Sequence, residues 1–167
     1  MQTENELAAR LGDLLSEHKQ RVATAESCTG GRIAASLTSV SGCSAWFGFG
    51  WVTYSYPAKM SELGVQAETL ERDGAVSEQT VREMASGALE RSGADWAVAV
   101  SGIAGPGGGG EKKPVGTVWF GLAGRKGLLE CVQKQFDGDR DAVRRQATEA
   151  ALQLLIERVE QQVKDPG

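Results

Sequence analysis

The sequence predicts an α/β fold in which helices cover a mixed sheet of about five strands. Helical and strand-like patterns follow one another along the 167 residues in the order α-β-α-β-α-α-β-β-β-α. Helices separate the first three strands, whereas a short GRKG turn joins the last two, as in an antiparallel hairpin. No linker divides the chain, so we expect residues 1–167 to form a single domain.

The N-terminal part alternates helix, strand and helix. Thr3 and Glu6 fit a capping box at the start of a helix over residues 4–19. The run RVATA then predicts a buried strand, which the letters ESCTGG interrupt. A second helix is predicted to run from Gly31 to Thr38.

An aromatic strand follows. The segment AWFGFGWVTYSY is rich in aromatic and β-branched residues, which favour strands. Gly48 and Gly50 within it indicate a bulge or a close backbone approach. Pro57 is predicted to end the strand and to begin a short helix through Leu63.

The C-terminal part contributes three strands between two helices. Ser77 is a good N-cap for a helix, and DWAVAVS then predicts a strand buried on both faces. VGTVWFGLA and LLECVQKQF form the predicted hairpin, and Asp139 caps the last helix. We expect the tail QQVKDPG to be frayed and the apolar stripe of that helix to consist of Val143, Ala147, Ala150 and Leu154.

Composition excludes several classes of protein. The net charge of −4 does not suit nucleic-acid binding, and no apolar run approaches the ~20 residues of a membrane span. The N-terminus lacks the regions of a signal peptide. Three separated cysteines, Cys28, Cys43 and Cys131, indicate reduced thiols and a cytoplasmic location. With His18 as the single histidine, a His-based triad or a multi-His metal site is not expected.

Two glycine-containing loops are candidates for binding. ESCTGGR follows the first predicted strand, where the backbone N–H groups of the next helix favour an anion. The alternative is a tight turn in which Ser27 or Thr29 serves as a helix cap. GIAGPGGGG lacks the lysine of a phosphate-binding P-loop, because Glu111 occupies that position. It is either a loop over a cleft or a plain connection.

A serine, a tyrosine and a lysine surround the aromatic strand. Without a suitable histidine, Lys59 is the candidate base for Ser44, with Tyr54 bridging the two. Partial burial would lower the pKa of the lysine. All three residue types are also common surface groups. The four tryptophans are predicted core or interface residues, one of which could stack on a pyridine ring; they are Trp46, Trp51, Trp96 and Trp119.

The start of the last helix carries two arginines. Arg140 and Arg144 are one helical turn apart, and either is suited to bind a carboxylate or a phosphate. Alternatively, Arg140 pairs with neighbouring aspartates on the surface.

Six blocks resemble the CinA C-terminal domain family in the same order. They are AESCTGG, GCSAWF with VTYS and AK, GAVSEQTV, AVAVSGIAGPGGG, KPVGTVWFGLA and GDRDAVRRQA, and they extend from about residue 5 to residue 157. The resemblance implies a three-layer α/β/α fold. It also implies hydrolysis of the carboxamide of nicotinamide mononucleotide to nicotinic acid mononucleotide and ammonia, with no metal or organic cofactor.

The resemblance also implies roles for individual residues. Ser44 is expected to be the nucleophile, Lys59 the general base and Tyr54 its assisting hydroxyl. The expected substrate-binding residues lie in the glycine turn, at the end of the buried strand and at the last helix; they are Glu26, Ser27, Thr29, Gly30, Gly31, Ser101, Gly102, Gly105 and Arg140.

The chain departs from the family in two blocks. Between Tyr54 and Lys59 it reads SYPAK where relatives commonly have SNEAK, so Tyr56 and Pro57 put the local substrate fit in doubt. Cys43 replaces a common serine. Longer relatives carry an additional N-terminal domain, whose activity we do not expect here.

Alternative functions and partners follow from the same residues. The alternatives to the amidase are a non-catalytic nucleotide-binding module and an interaction domain associated with DNA uptake or repair. We expect a small-molecule substrate and neither nucleic acid nor a membrane as partner. The aromatic strand favours a homo-oligomer, although a core strand would look alike.

Overall fold

The computed structural model describes residues 2–164, which fold around one five-stranded sheet. The order across the sheet is β2-β1-β3-β4-β5. β1 is parallel to its neighbours β2 and β3, whereas β4 is antiparallel to β3 and β5. The predicted mixed sheet is therefore confirmed. The strands are β1 (Val22–Glu26), β2 (Phe47–Val52), β3 (Trp96–Gly102), β4 (Thr117–Gly124) and β5 (Leu128–Gln135).

Six helices cover the two faces of the sheet. Helices α1, α2 and α6 pack on one face, and α3, α4 and α5 pack on the other. This is the three-layer α/β/α arrangement that the family resemblance implies. The helices are α1 (Glu4–Glu17), α2 (Arg32–Thr38), α3 (Tyr56–Leu63), α4 (Ala67–Asp73), α5 (Glu78–Ser92) and α6 (Arg140–Lys164).

Side chains of β3 point alternately to the two faces of the sheet and so contribute to two core clusters. Val98 and Val100 face the layer of α1, α2 and α6, while Ala97 and Ala99 face α5. All four side chains are fully buried, because β3 is the central strand and both of its faces are covered. The small alanines let α5 approach the sheet closely.

The predicted helix caps are present. The Thr3 hydroxyl accepts a hydrogen bond from the Glu6 N–H at 3.2 Å. The hydroxyl of Ser77 caps α5, and a carboxylate oxygen of Asp139 accepts from the Ala142 N–H at 2.9 Å. Such caps satisfy backbone donors that the first helical turn leaves unpaired.

The bulge predicted in the aromatic strand lies at Gly48. Val22 of β1 pairs with Phe47, and the next residue, Ala23, pairs with Phe49, so Gly48 is the extra residue. A Cβ atom on Gly48 would lie 2.9 Å from the guanidinium of Arg21, the mobile end of a long side chain.

The helices differ from those predicted in three places. Helix α4 was not predicted, since its seven residues are too few for a clear pattern. Residues 161–164, predicted to be frayed, continue α6, and residues 165–167 lie outside the described part of the chain. Within the predicted stripe of α6, Ala150 and Leu154 are only partly buried, and the buried stripe continues instead through Ala151, Leu152, Leu155, Ile156 and Val159.

None of the described helices combines the length and the apolar character needed to cross a bilayer.

The contact between α3 and α5 makes Gly87 sensitive to substitution. A Cβ atom there would overlap the carbonyl group of Leu63 at the end of α3. We expect Gly87→Ala to lower the free energy of unfolding by about 1–3 kcal/mol, as overpacking does, measured by urea denaturation. Gly107→Ala is the matched control, because no atom lies within 4 Å of the position of its Cβ. Equal stability of the two variants would contradict this packing.

Candidate active site

A lysine and a serine meet where β1 and β2 end. The Nζ atom of Lys59 lies 2.9 Å from the Oγ atom of Ser27. Ser27 directly follows β1, and Lys59 lies on α3, the helix that follows β2. The Lys59 side chain is fully buried, and Ser27 is 7% exposed. Ligands of open α/β sheets bind beyond the carboxyl ends of the strands, so this pair is well placed for catalysis.

Backbone carbonyl groups hold the amine of Lys59. Pro57 lies in the first turn of α3 and suits that position, since its fixed φ is helical. The turn folds Lys59 back onto the preceding residues. Its Nζ atom lies 2.6 Å from the carbonyl oxygen of Thr53 and 3.5 Å from that of Tyr54. Burial lowers the pKa of Lys59 to about 8, so a neutral amine is accessible near physiological pH.

Three hydroxyl groups stand side by side at this edge of the sheet. The last registered pairs of β1 with β2 and with β3 both involve Glu26. One residue further along, Ser27 therefore lies between Thr53 and Ser101, on the face that α3 and α5 cover. Ser101 is buried, and the Thr53 hydroxyl has no hydrogen-bond partner within residues 2–164. Sequence analysis did not single out Thr53.

Glu26 and Thr29 support the glycine turn from inside the protein. Both side chains are fully buried. The Thr29 hydroxyl donates to the Glu26 carboxylate at 2.6 Å, and the N–H groups of Ile33 and Ala34 donate to it at 2.9 and 3.0 Å. The described hydrogen bonds of these two side chains are made inside the protein, and their predicted contact with the substrate stays a prediction. The anion expected at the start of α2 is the protein's own carboxylate.

The two glycines of this turn adopt left-handed backbone conformations. Gly30 has a φ of 58° and Gly31 a φ of 100°, and glycine adopts such values without steric cost. The guanidinium of Arg144 donates to the carbonyl groups of Cys28 and Thr29 at 3.0 and 3.1 Å. Arg144 thus fixes the turn, while the exposed Gly30 stays at the rim of the site.

Ser44 lies at the opposite end of the sheet from Lys59. It belongs to a 3₁₀ turn (Cys43–Ala45) before β2, and its carbonyl oxygen lies 3.4 Å from the guanidinium of Arg21, which precedes β1. Ser27, the contact of Lys59, follows β1. Because β1 has five residues and a strand rises about 3.3 Å per residue, about 16 Å separates the two ends. The predicted pairing of Ser44 with Lys59 in one chain is therefore wrong.

The hydroxyl group of Tyr54 is bound to Arg140 rather than to Lys59. The Arg140 guanidinium donates to it at 2.9 Å and to the carbonyl oxygen of Gly105 at 2.8 Å. Only the backbone of Tyr54 is near the lysine, so the predicted assisting hydroxyl does not reach the amine. Arg140 instead joins the start of α3, the start of α6 and the glycine loop at the rim of the site.

The glycine loop between β3 and β4 forms a wall of this region. Gly102 packs against Val118, and Gly105, with a φ of 83°, packs against Val115. The ammonium group of Lys113 donates to the carbonyl oxygen of Asp73 at 2.6 Å. The loop is therefore held on both sides of the sheet end, by Arg140 and by Lys113.

Cys28, the residue after Ser27, is a poor nucleophile. Burial raises the pKa of the Cys28 thiol to about 11, which suppresses the nucleophilic thiolate. Within residues 2–164, no three His, Cys, Asp or Glu side chains are grouped to hold a metal ion.

Ser27 occupies the position that sequence analysis assigned to Ser44. It was predicted as a substrate-binding residue, and a signal for its position was present in the sequence. Ser27 continues the alternation of Ala23 and Ala25, which places all three side chains on one face of β1. Ser44 and Lys59 are close in the sequence, but the whole of β2 lies between them and places them at opposite ends of the sheet.

A family model and known relatives both identify the family of this chain. The model of the CinA C-terminal domain matches residues 4–159. A nicotinamide-nucleotide amidohydrolase PncC of Enterobacter agglomerans is 56% identical over 152 residues, which cover 91% of this chain and 93% of that protein. The protein of the same name from Escherichia coli K12 is 55% identical over 150 residues, covering 90% and 91%.

Solved structures give the same result. A competence-damaged protein (CinA) superfamily member from Klebsiella pneumoniae superposes with a TM-score of 0.92 at 44% identity, covering 96% of this chain and 99% of that one. A competence/damage inducible protein from Agrobacterium tumefaciens gives 0.90 at 46% identity, covering 92% and 94%. The chain therefore belongs to the CinA C-terminal domain family.

Proposed function

We propose that this protein is an amidohydrolase that converts nicotinamide mononucleotide to nicotinic acid mononucleotide and ammonia. The names of relatives 52–56% identical to this chain support the substrate. The observation that supports the mechanism is the 2.9 Å contact between Lys59 and Ser27 in a buried site. We assign Ser27 as the nucleophile and Lys59 as its base.

Activation of Ser27 follows from the hydrogen-bond capacity of a neutral amine. Such an amine has two N–H groups and one lone pair. The carbonyl groups of Thr53 and Tyr54 are placed to accept the two N–H groups. The lone pair then points to the Ser27 hydroxyl and accepts its proton as the oxygen attacks the carboxamide carbon.

The tetrahedral intermediate carries a negative charge on the former carbonyl oxygen. The backbone N–H of Cys28 directly follows the nucleophile, and no oxygen within residues 2–164 accepts its hydrogen bond. The hydroxyl of Ser101, beside Ser27, is a second donor. We assign both to the stabilisation of this oxyanion, to which a single well-placed donor contributes about 3–4 kcal/mol.

Lys59 also serves the later steps. Its ammonium group donates a proton to the amide nitrogen, the C–N bond breaks, and ammonia leaves the nicotinoyl ester on Ser27. Water attacks the ester carbon and gives one proton to Lys59. Breakage of the ester bond returns that proton to the Ser27 oxygen, and the nicotinic acid product gives the second proton of the water to the solvent as its carboxylate forms.

We also propose that the protein forms a homo-oligomer through the β2 edge of the sheet. β2 is an edge strand, and exposed strand edges are rarely left unprotected. Of the six large hydrophobic side chains exposed within residues 2–164, five lie on or just after it. They are Phe49, Val52, Tyr54, Tyr56 and Met60.

Substitution of the nucleophile distinguishes Ser27 from Ser44. We expect Ser27→Ala and Lys59→Met each to lower kcat for ammonia release from nicotinamide mononucleotide about 10³-fold or more. The matched control is Ser44→Ala, which we expect to stay within about threefold of the original protein. Loss of activity in the control with survival of Ser27→Ala would reject the assignment, provided that all variants keep their circular dichroism spectra.

The pH dependence of the rate reports on Lys59. The pKa of its amine lies near 8 in the folded protein, and only the neutral form accepts the Ser27 proton. We expect kcat/KM to rise about tenfold per pH unit below that pKa and to level off above it. A flat profile between about pH 6 and pH 9, with the chemical step shown to be rate-limiting, would contradict the role of Lys59.

The oligomer depends on the apolar edge. We expect sedimentation velocity to show a species larger than one chain, and Phe49→Asp to shift it towards the monomer because a carboxylate would be buried in the interface. Val163→Asp changes another exposed hydrophobic residue, far along α6, and serves as control. A monomeric original protein would refute the proposal.

A further inference from the structure

We infer that the phosphate of the mononucleotide binds at Lys113, in a cleft between the glycine loop and the start of α5. This inference rests on the proposed function, because it assigns the subsite that holds the second end of the same substrate. The cleft has a volume of about 510 Å³, and its lining includes Arg72, Lys112, Lys113 and Trp119.

The cleft lies on the same face of the sheet as the candidate active site. Trp119 lies directly opposite Ser101 in the antiparallel pairing of β3 and β4, so their side chains share one face of the sheet. This is the face from which Ser27 and Lys59 act. Along this face Ser27, Ser101 and Trp119 lie on or beside neighbouring strands; Ser101 is buried, whereas Trp119 is only partly buried and lines the cleft.

The spacing fits a mononucleotide. Ser27 and Trp119 are two strands apart at the same level of the sheet, and neighbouring strands are about 4.8 Å apart, so about 10 Å separates them. An extended mononucleotide spans a similar distance from carboxamide to phosphate. With its carboxamide at Ser27, such a substrate would place its phosphate beyond Ser101, near the amine of Lys113.

The charges of the cleft favour an anion. The guanidinium of Arg72 is paired with Asp73, and the carboxylate of Glu78 with Arg82. Lys113 donates to a backbone carbonyl group and to no carboxylate within residues 2–164, and its ammonium group has two further N–H donors. Its charge contributes to the lowered pKa of Asp73, after the hydrogen bond from Arg72. Lys112, the neighbouring residue, adds a second positive charge.

The opposite side of the site is less suited to a phosphate. The cavity beside Arg140 is also lined by the carboxylates of Asp139 and Asp141, the second of which is paired with Arg32. The guanidinium of Arg140 already donates to Tyr54 and Gly105. The start of α2 is likewise filled, by the carboxylate of Glu26.

Tyr56 extends the same subsite on the α3 side. A Cβ atom on Gly74 would lie 3.5 Å from the Nζ atom of Lys113 and 3.8 Å from the hydroxyl oxygen of Tyr56. The two polar groups therefore converge on one turn, within about 7 Å of each other by these two distances. The tyrosine that departs from the commoner SNEAK block thus faces the proposed phosphate site.

The test compares two substrates that differ only in the phosphate. Ammonia release is measured with nicotinamide mononucleotide and with nicotinamide riboside. We expect Lys113→Met to raise KM for the mononucleotide about 10- to 100-fold, with kcat retained, because ground-state and transition-state binding are lost together. KM for the riboside should stay unchanged, Lys113→Arg should restore most of the affinity, and the charge-matched control Lys134→Met should change neither substrate.

A second measurement does not depend on turnover. Calorimetric titration of nicotinamide mononucleotide into Ser27→Ala, with and without Lys113→Met, should show a similar loss of affinity. Unchanged KM and affinity in Lys113→Met, an equal loss for both substrates, or loss of the phosphate preference in Arg140→Met alone would overturn the subsite. If the original protein released no ammonia from the mononucleotide, the proposed function itself would fail, which is a different result.

Discussion

The burial of the Lys59 amine is the constraint on which the candidate site depends. Removing an ammonium group from water costs several kcal/mol unless polar partners compensate. In this protein the partners are two backbone carbonyl groups and one hydroxyl, without a carboxylate among the described hydrogen bonds of the amine. Burial therefore shifts the equilibrium towards the neutral form and lowers the pKa of Lys59 to about 8. This arrangement requires α3 to begin directly after β2, which Pro57 makes possible.

Glu26, the last residue of β1, and Ser27, which follows it, point to opposite faces of the sheet and serve different purposes. Glu26 points towards α2 and holds the turn by three hydrogen bonds, whereas Ser27 points towards α3 and contacts Lys59. Side chains alternate along a strand with a period of two, so the rigid support and the reactive group can follow each other directly. The carboxylate fixes the backbone without placing a negative charge against the hydroxyl that must lose its proton.

Short patterns in the sequence predicted most of the helices and strands, but they did not predict which residues meet in the candidate site. Capping residues, the GRKG turn and the buried strand are properties of short segments, and each was predicted. The contact between Ser27 and Lys59 joins residues 32 positions apart, and that between Tyr54 and Arg140 joins residues 86 apart. Both contacts depend on strand order, which brings the ends of β1, β2 and β3 together. Ser44, nearer to Lys59 in the chain, is carried to the other end of the sheet by β2.

A neutral catalytic amine and a substrate with a doubly charged phosphate group make conflicting demands. A phosphate close to Lys59 would favour the ammonium form and raise its pKa, which would remove the base. At an effective dielectric constant of about 20, two unit charges interact by about 4 kcal/mol at 4 Å and by less than half of that at 10 Å. A phosphate bound two strands away would raise the pKa of Lys59 less. The positive charges of Lys112 and Lys113 would weaken its effect further. The separation between the Lys59 amine and the lysines of the glycine loop thus allows one protein to bind an anion with little rise in the pKa of its base.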